Sequence, residues 1–353
     1  MTQFTDIDTP AVLIDLDRSE ANLKKAQAAA DAAGIALRPH IKTHKLPLFA
    51  KRQVELGAVG ITVQKLGEAE VMADAGLNDL LLTFNIIGAA KRARLKALHD
   101  RVTIRTVADS AETVAGLTET FADPGHKLGV FVECDTGMGR CGVQSAQAAF
   151  DLARIIASHP GLHFAGLMTY PAAGKYREAA AWLADAKALF EAAGVDLPAI
   201  TTGGTPDIGH MAEAGPATEY RPGTYIYMDR SQVAAGAATF EDCALTVLAT
   251  IVSRPTENRA IIDAGSKALT SDLLGLVGHG HVVEYPDARV VGLSEEHGTI
   301  DVSACAQKPR IGDVIRIIPN HCCPVTNLFD HVHLIRDGAL VETVPVAARG
   351  RVD

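Results

Sequence analysis

Eight short apolar stretches alternate with helix-forming ones over the first two thirds of this chain, and that alternation constrains the fold more than any other feature. Read as strands they cover 36–42, 58–63, 79–84, 102–107, 128–134, 163–169, 198–202 and 217–226. The stretches between them, 44–56, 66–76, 89–98, 110–121, 144–158, 175–193 and 206–214, have helical composition with apolar residues three and four apart. Strands that each feed a helix before the next strand run parallel, and eight of them predict a (β/α)8 barrel of the TIM type. A doubly wound open sheet is the alternative; the count and even spacing favour closure. After about residue 240 the pattern changes to strand-like segments at 244–253, 259–262, 288–293, 299–302, 313–318 and 331–335, with no long helical stretch among them. The expected organisation is a barrel over 18–238 and a smaller β-rich C-terminal domain over 239–353, joined by the N-terminal strand 11–16 within residues 1–17.

Charge and composition narrow the partners. A net charge of -9 and a pI near 5.8 argue against a nucleic-acid or anionic-membrane binder, which needs clustered Lys and Arg. A small-molecule partner is expected, with no nucleic acid and no membrane. No apolar run approaches the roughly 18 residues of a membrane span, and no signal-like pattern opens the chain, so a cytoplasmic location is expected. The six cysteines lack disulfide-scaffold spacing and read as thiols in a reducing compartment.

Several motifs fall where a barrel gathers its chemistry, at the C-terminal ends of strands. Arg38-Pro39-His40-Ile41-Lys42-Thr43-His44-Lys45 ends the first barrel strand. A lysine partly desolvated there keeps a neutral, nucleophilic fraction suited to a Schiff base with an aldehyde cofactor. Taken alone, such a cluster is more often a solvated basic loop. Glu133 and Asp135 end another strand, followed by a glycine-rich turn carrying Arg140, and Tyr170 ends the next. Thr202-Gly203-Gly204-Thr205-Pro206 follows a strand and opens a helix, an arrangement whose backbone N–H groups suit a phosphate, although an isolated Gly-Gly-Thr is commonly an ordinary turn. In the second domain His321-Cys322-Cys323 follows a strand. If that segment is extended, His321 and Cys323 face one point and Cys322 faces away, giving two soft donors for a divalent metal.

These motifs, together with Arg221-Pro222-Gly223-Thr224-Tyr225, Asp263-Ala264-Gly265-Ser266-Lys267-Ala268-Leu269, Glu295-Glu296-His297-Gly298 and Pro319-Asn320-His321-Cys322-Cys323-Pro324, resemble the D-threonine aldolase and D-serine dehydratase family, pyridoxal-phosphate enzymes of the alanine racemase-like fold. The resemblance spans nearly the whole chain. It implies Lys42 as the Schiff-base lysine, with Lys45 the alternative. It implies Arg140 near the cofactor's phenolic oxygen, Tyr170 and Tyr225 lining the cofactor, and Gly203, Gly204 and Thr205 at its phosphate. His321 and Cys323 match the family's metal pair, for zinc, manganese or magnesium. Some aldolases of the family carry an aspartate where this chain has Cys323, whereas its dehydratases pair His with Cys.

The implied activity is a metal-assisted lyase acting on β-hydroxy-D-amino acids, with retro-aldol cleavage to glycine and an aldehyde placed first. The alternative is a D-serine or 3-hydroxy-D-aspartate dehydratase, and an amino-acid racemase, which needs no metal, stands behind both. His44 and His297 are the candidate bases, each equally readable as a hydrogen-bonded loop histidine. Lys267 reads as a salt-bridge residue. A homodimer is expected.

Overall fold

The structure, a computed structural model, describes residue 4 and residues 6–353. The chain opens with strand β1 (Ala11–Asp15) and helix α1 (Leu16–Ala33). Eight parallel strands follow: β2 (Ala36–Leu37), β3 (Ile61–Val63), β4 (Asp79–Asn85), β5 (Thr103–Ala108), β6 (Leu128–Cys134), β7 (Leu162–Thr169), β8 (Ile200–Thr202) and β9 (Glu219–Tyr220). Their order in the sheet is β2-β9-β8-β7-β6-β5-β4-β3. The chain just after β2 closes the circle: Ile41 N donates to Thr62 O at 2.9 Å and Thr62 N to Pro39 O at 2.7 Å.

Between the strands run α2 (Pro47–Glu55), α3 (Leu66–Asp74), α4 (Ala89–His99), α5 (Ala111–Thr118), α6 (Ala146–Ser158) and α7 (Tyr176–Ala192). Local chemistry sets their starts. Ser110 and Ser145 cap α5 and α6 by accepting from Thr113 N and Ala148 N, and Pro47 occupies the first turn of α2, where its missing N–H is no loss. Alternation along the strands divides the core in two. Leu80, Leu82, Val130, Val132 and Leu167 pack in the large cluster with helix residues such as Leu95, Leu117 and Ile156. Their neighbours Leu81, Val107, Phe131 and Met168 form a separate cluster. Burial on both faces explains why β6 is an uninterrupted run of buried residues.

The strand read over 217–226 is much shorter. Only Glu219 and Tyr220 pair in the sheet; Pro222 has no N–H to offer, and Thr224–Ile226 form a 3-10 turn. The helix read over 206–214 is a 3-10 segment, Thr205–Glu213, kinked at Asp207 and His210.

The remaining strands form a second, nine-stranded sheet: β1 with β10 (Leu245–Thr256), β11 (Arg259–Ile262), β12 (His281–Val282), β13 (Arg289–Leu293), β14 (Gly298–Asp301), β15 (Val314–Ile318), β16 (His331–Arg336) and β17 (Ala339–Pro345). β1 lies inside it, antiparallel to β10 (Ile14 opposite Leu245) and parallel to β16 (Leu13 opposite His333). Three short helices interrupt this part: α8 (Arg230–Ala234), α9 (Ser266–Leu269) and α10 (Cys322–Leu328). The described residues thus divide into two compact units, one of residues 25–42, 46–223 and 351–353 and one of those up to 24, 43–45 and 224–350.

Candidate active site

In the barrel unit, the segment after β2 is held on both sides. Arg38 N and His40 N donate to Tyr220 O and Pro222 O, each at 2.9 Å, opposite the bonds to Thr62. The buried Arg38 guanidinium binds Glu219 and lies 2.5 Å from Asp79. Backbone and side chain so fixed bring the chain to Lys42, whose N–H donates to His40 Nδ1 at 3.2 Å; the other ring nitrogen of His40 meets Gln64 Oε1 at 3.0 Å.

The Lys42 ammonium lies 5.7 Å from the centre of the Tyr170 ring, and the Arg140 guanidinium lies 5.5 Å from the same centre. One aromatic ring therefore has two cations against it. Arg140 is carried by a turn in which Asp135 Oδ1 accepts from Gly137 N at 2.9 Å and Gly139 N at 3.1 Å. These backbone donors hold the Asp135 carboxyl below its ordinary range although partial burial pushes the other way. Glu133, on the same strand face as Phe131, is buried. Burial raises its carboxyl to about 6, opposed by the charge of Arg140 and assisted by Asp109.

The second residue of the glycine pair meets the same ring, and the first meets that of Tyr220. Gly203 has φ +92°, and a Cβ there would sit within 2.5 Å of the Tyr220 ring; a Cβ on Gly204 would lie 3.0 Å from Tyr170 Cε2. Gly203 excludes a side chain and Gly204 leaves little room for one, so the backbone N–H groups at the start of the 3-10 segment are uncovered by any Cβ, which fits a phosphate cradle. Thr205 Oγ1 accepts from Gly223 N at 3.2 Å, and the Tyr220 hydroxyl donates to Gly204 O at 3.0 Å. Beneath them Arg221 is buried, donating to Thr201 Oγ1 at 2.8 Å and to Thr169 O, and burial lowers its pKa to about 10. The barrel unit thus brings Lys42, Arg140, Tyr170, Gly203, Gly204 and Thr205 together, a set that fits an aldehyde- and phosphate-bearing cofactor.

The second unit holds the remaining candidates. His321 is the N-cap of α10, in an extended conformation, while Cys322 and Cys323 are its first two helical residues. The segment is therefore not the extended strand its sequence suggests, because Pro324 favours the first helical turn. The pairing nevertheless forms: His321 hydrogen-bonds Cys323, and Cys322 is fully buried. Burial lowers the His321 pKa, but the bond and charge of Cys323, then Asp272, outweigh it and push it up to about 9. Cys323 Sγ lies 3.1 Å from Thr43 Oγ1 and 3.6 Å from Thr224 Oγ1. One imidazole and one thiol in contact make a donor set that fits a divalent metal of borderline softness.

The turn is gripped from α8. Asp229 accepts from Cys322 N at 3.0 Å, and Arg230 N and Ser231 N donate to Pro319 O and Asn320 O. Tyr225 is buried in the 3-10 turn Thr224–Ile226 and His44 is buried completely. His297 sits exposed in the turn between β13 and β14, bonded to Ser294. Lys45, at φ +56°, donates its ammonium to Ala348 O at 3.3 Å and accepts from Ala348 N on its carbonyl at 3.1 Å. Lys267 pairs with Glu296 at 2.5 Å. Sequence reasoning missed Asp229, Thr43, Thr224 and Asp272, whose roles depend on partners distant in the chain. Only Thr43 and Thr224, inside quoted motifs, carried any signal.

Comparison with known proteins matches residues 14–231 to the family model "Alanine racemase, N-terminal domain" and residues 244–335 to "Putative serine dehydratase domain". The D-threonine aldolase of Arthrobacter sp is 36% identical, over 98% of this chain and 93% of that protein. The crystal structure of D-threonine aldolase from Filomicrobium marinum superposes with a TM-score of 0.92 at 32% identity, covering 100% of this chain and 98% of that one. D-threo-3-hydroxyaspartate dehydratase from Delftia sp. HT23 gives a TM-score of 0.86 at 29% identity, covering 98% and 99%.

Proposed function

Because the chain belongs to the D-threonine aldolase and D-serine dehydratase family, on the alanine racemase-like fold, we propose that it is a pyridoxal-phosphate- and metal-dependent lyase of β-hydroxy-D-amino acids, cleaving them to glycine and an aldehyde. The observation that carries this reading is the His321–Cys323 contact. A racemase has no use for a metal pair of that kind.

Lys42 would hold the cofactor, with the Gly203 to Thr205 backbone at its phosphate and Arg140 and Tyr170 beside it. When bound, the cofactor supplies an electron sink for the bond broken at Cα, and the metal supplies a Lewis acid for the β-hydroxyl. Tyr170 offers its ring to both cations, its centre 5.7 Å from the Lys42 amine and 5.5 Å from the Arg140 guanidinium. His321 and Cys323 fix one position for a substrate hydroxyl. We read the enzyme as selective for D-substrates because the relatives it is similar to are named for D-amino acids. Two proton routes lead to two products. A base that takes the hydroxyl proton directs cleavage of Cα–Cβ, and His44, buried, and His297, exposed, are the candidates. If Lys42 takes the Cα proton instead, hydroxide leaves and ammonia follows.

That second outcome, a dehydratase, is favoured by Cys323 itself, because the resemblance associates the His–Cys pair with dehydration. Incubation with D-threonine and D-serine decides between them: acetaldehyde and glycine mean aldolase, 2-oxobutanoate or pyruvate with ammonia mean dehydratase. Equal turnover of D- and L-threonine would remove the selectivity argument.

We also read the protein as a cytoplasmic homodimer. Among the described residues no helix is long and apolar enough to cross a membrane, and the six cysteines are free thiols. Sedimentation and cell fractionation test these two points.

A further inference from the structure

We propose that Asp272 is a positioning residue that holds His321 in the tautomer and orientation needed to bind the metal; the inference rests on the metal-dependent reading above. His321 Nδ1 lies 2.8 Å from Asp272 Oδ2. A neutral imidazole that donates from Nδ1 to a carboxylate presents its other nitrogen as a lone pair, which is what a metal ion requires.

The main chain that carries this carboxylate is braced on both sides. Asp272 N donates to Thr270 Oγ1 at 2.9 Å, and Asp272 O accepts from Asn320 Nδ2 at 3.1 Å. The same Asn320 nitrogen donates to Gly278 O at 2.8 Å, and Asn320 Oδ1 accepts from Arg230 Nη1 at 3.0 Å. Asn320 is buried and immediately precedes His321. Two consecutive residues therefore grip Asp272, Asn320 at its main-chain carbonyl and His321 at its side-chain carboxylate. Thr270, at φ +64°, turns the chain out of α9 so that the loop can reach this point. A surface ion pair needs none of this bracing. A carboxylate that has to stay behind a metal-binding histidine gains from a main chain held in place.

The test is equilibrium dialysis of purified holoenzyme, stripped with chelator, against zinc and manganese separately. Asp272→Ala is expected to weaken metal binding about 10- to 100-fold, the range seen when such outer partners are removed. Asp272→Asn keeps an acceptor for Nδ1–H and is expected to recover most of that loss. The visible absorption of the lysine-bound cofactor should be unchanged in both. Wild-type protein that retains no metal would end the metal-dependent reading itself. Wild type that binds metal while Asp272→Ala binds it equally tightly would end only the role given to Asp272, as would failure of Asp272→Asn to bind better than Asp272→Ala. If Asp272→Ala does not fold, Asp272→Leu, closer in shape, takes its place; failure of both to fold would make the residue structural and overturn the proposal.

Discussion

Replacing Gly203 by alanine tests the phosphate cradle at the point where geometry leaves least room. Two costs add. A φ of +92° lies where an L-residue pays about 1–2 kcal/mol. The new methyl would also enter the Tyr220 ring, within 2.5 Å of it, and overpacking of that kind costs about 1–3 kcal/mol. The ring has little freedom to retreat, because it is buried and its hydroxyl is bonded to Gly204 O. The total, about 2–5 kcal/mol, corresponds to a fall in Tm on the order of 10 °C for a domain of this size. The assay is denaturant unfolding of wild type, Gly203→Ala, Tyr220→Ala and the double variant, with cofactor retention after dialysis followed by visible absorbance. Removing the ring removes the collision but not the backbone strain. The cost of Gly203→Ala should therefore drop by about 1–3 kcal/mol in the Tyr220→Ala background, with cofactor retention reduced in both variants that carry the Gly203 replacement. Additivity within about 0.5 kcal/mol would refute the collision, and full cofactor retention in Gly203→Ala would refute the cradle.

Lys42→Ala should lose the visible band of the lysine-bound cofactor, whereas Lys45→Ala should keep it and lose roughly 1 kcal/mol of stability with the bond to Ala348; the reverse spectra would make Lys45 the anchor. His321→Ala and Cys323→Ala should each lose the metal while keeping the cofactor. Cys322→Ala should keep both, and metal loss there would mean that the wrong sulfur has been assigned. For Glu133, burial raises the folded carboxyl to about 6 from the ordinary 4.5, so the folded chain favours its protonated form. That preference stabilises fully below about pH 4.5 and is lost as pH rises through about 6, a change of about 2 kcal/mol. The stability of wild type minus that of Glu133→Gln should fall by this amount across that window, and a flat difference would show the carboxyl to be unperturbed.

The legibility of the chain followed burial. β6 lies where the sequence reading put it, 128–134, because a strand buried on both faces is written as an unbroken apolar run. β17, by contrast, went unread: nearly all of Ala339–Pro345 is exposed, so no apolar alternation marks it. β12 has two residues, too few to carry a period. The convergence of His321 and Cys323 was anticipated from the wrong conformation, since a cap followed by a helical turn brings them together as well as a strand would. Asp272 could not be read at all. Nothing in its own neighbourhood announces a histidine 49 positions away.

The place of β1 has a consequence for synthesis. It is made long before its partners β10 and β16, so Ile14 must wait for Leu245 and Leu13 for His333. Four of its five residues are buried in the finished sheet and would be bare on the ribosome while the barrel strands emerge. A nascent chain stalled after the barrel would carry a sticky, unpaired strand ahead of the barrel. The slowest event in maturation should accordingly be the insertion of β1 between two strands made long after it, a non-local closure whose rate is limited by loop entropy rather than by hydrophobic attraction.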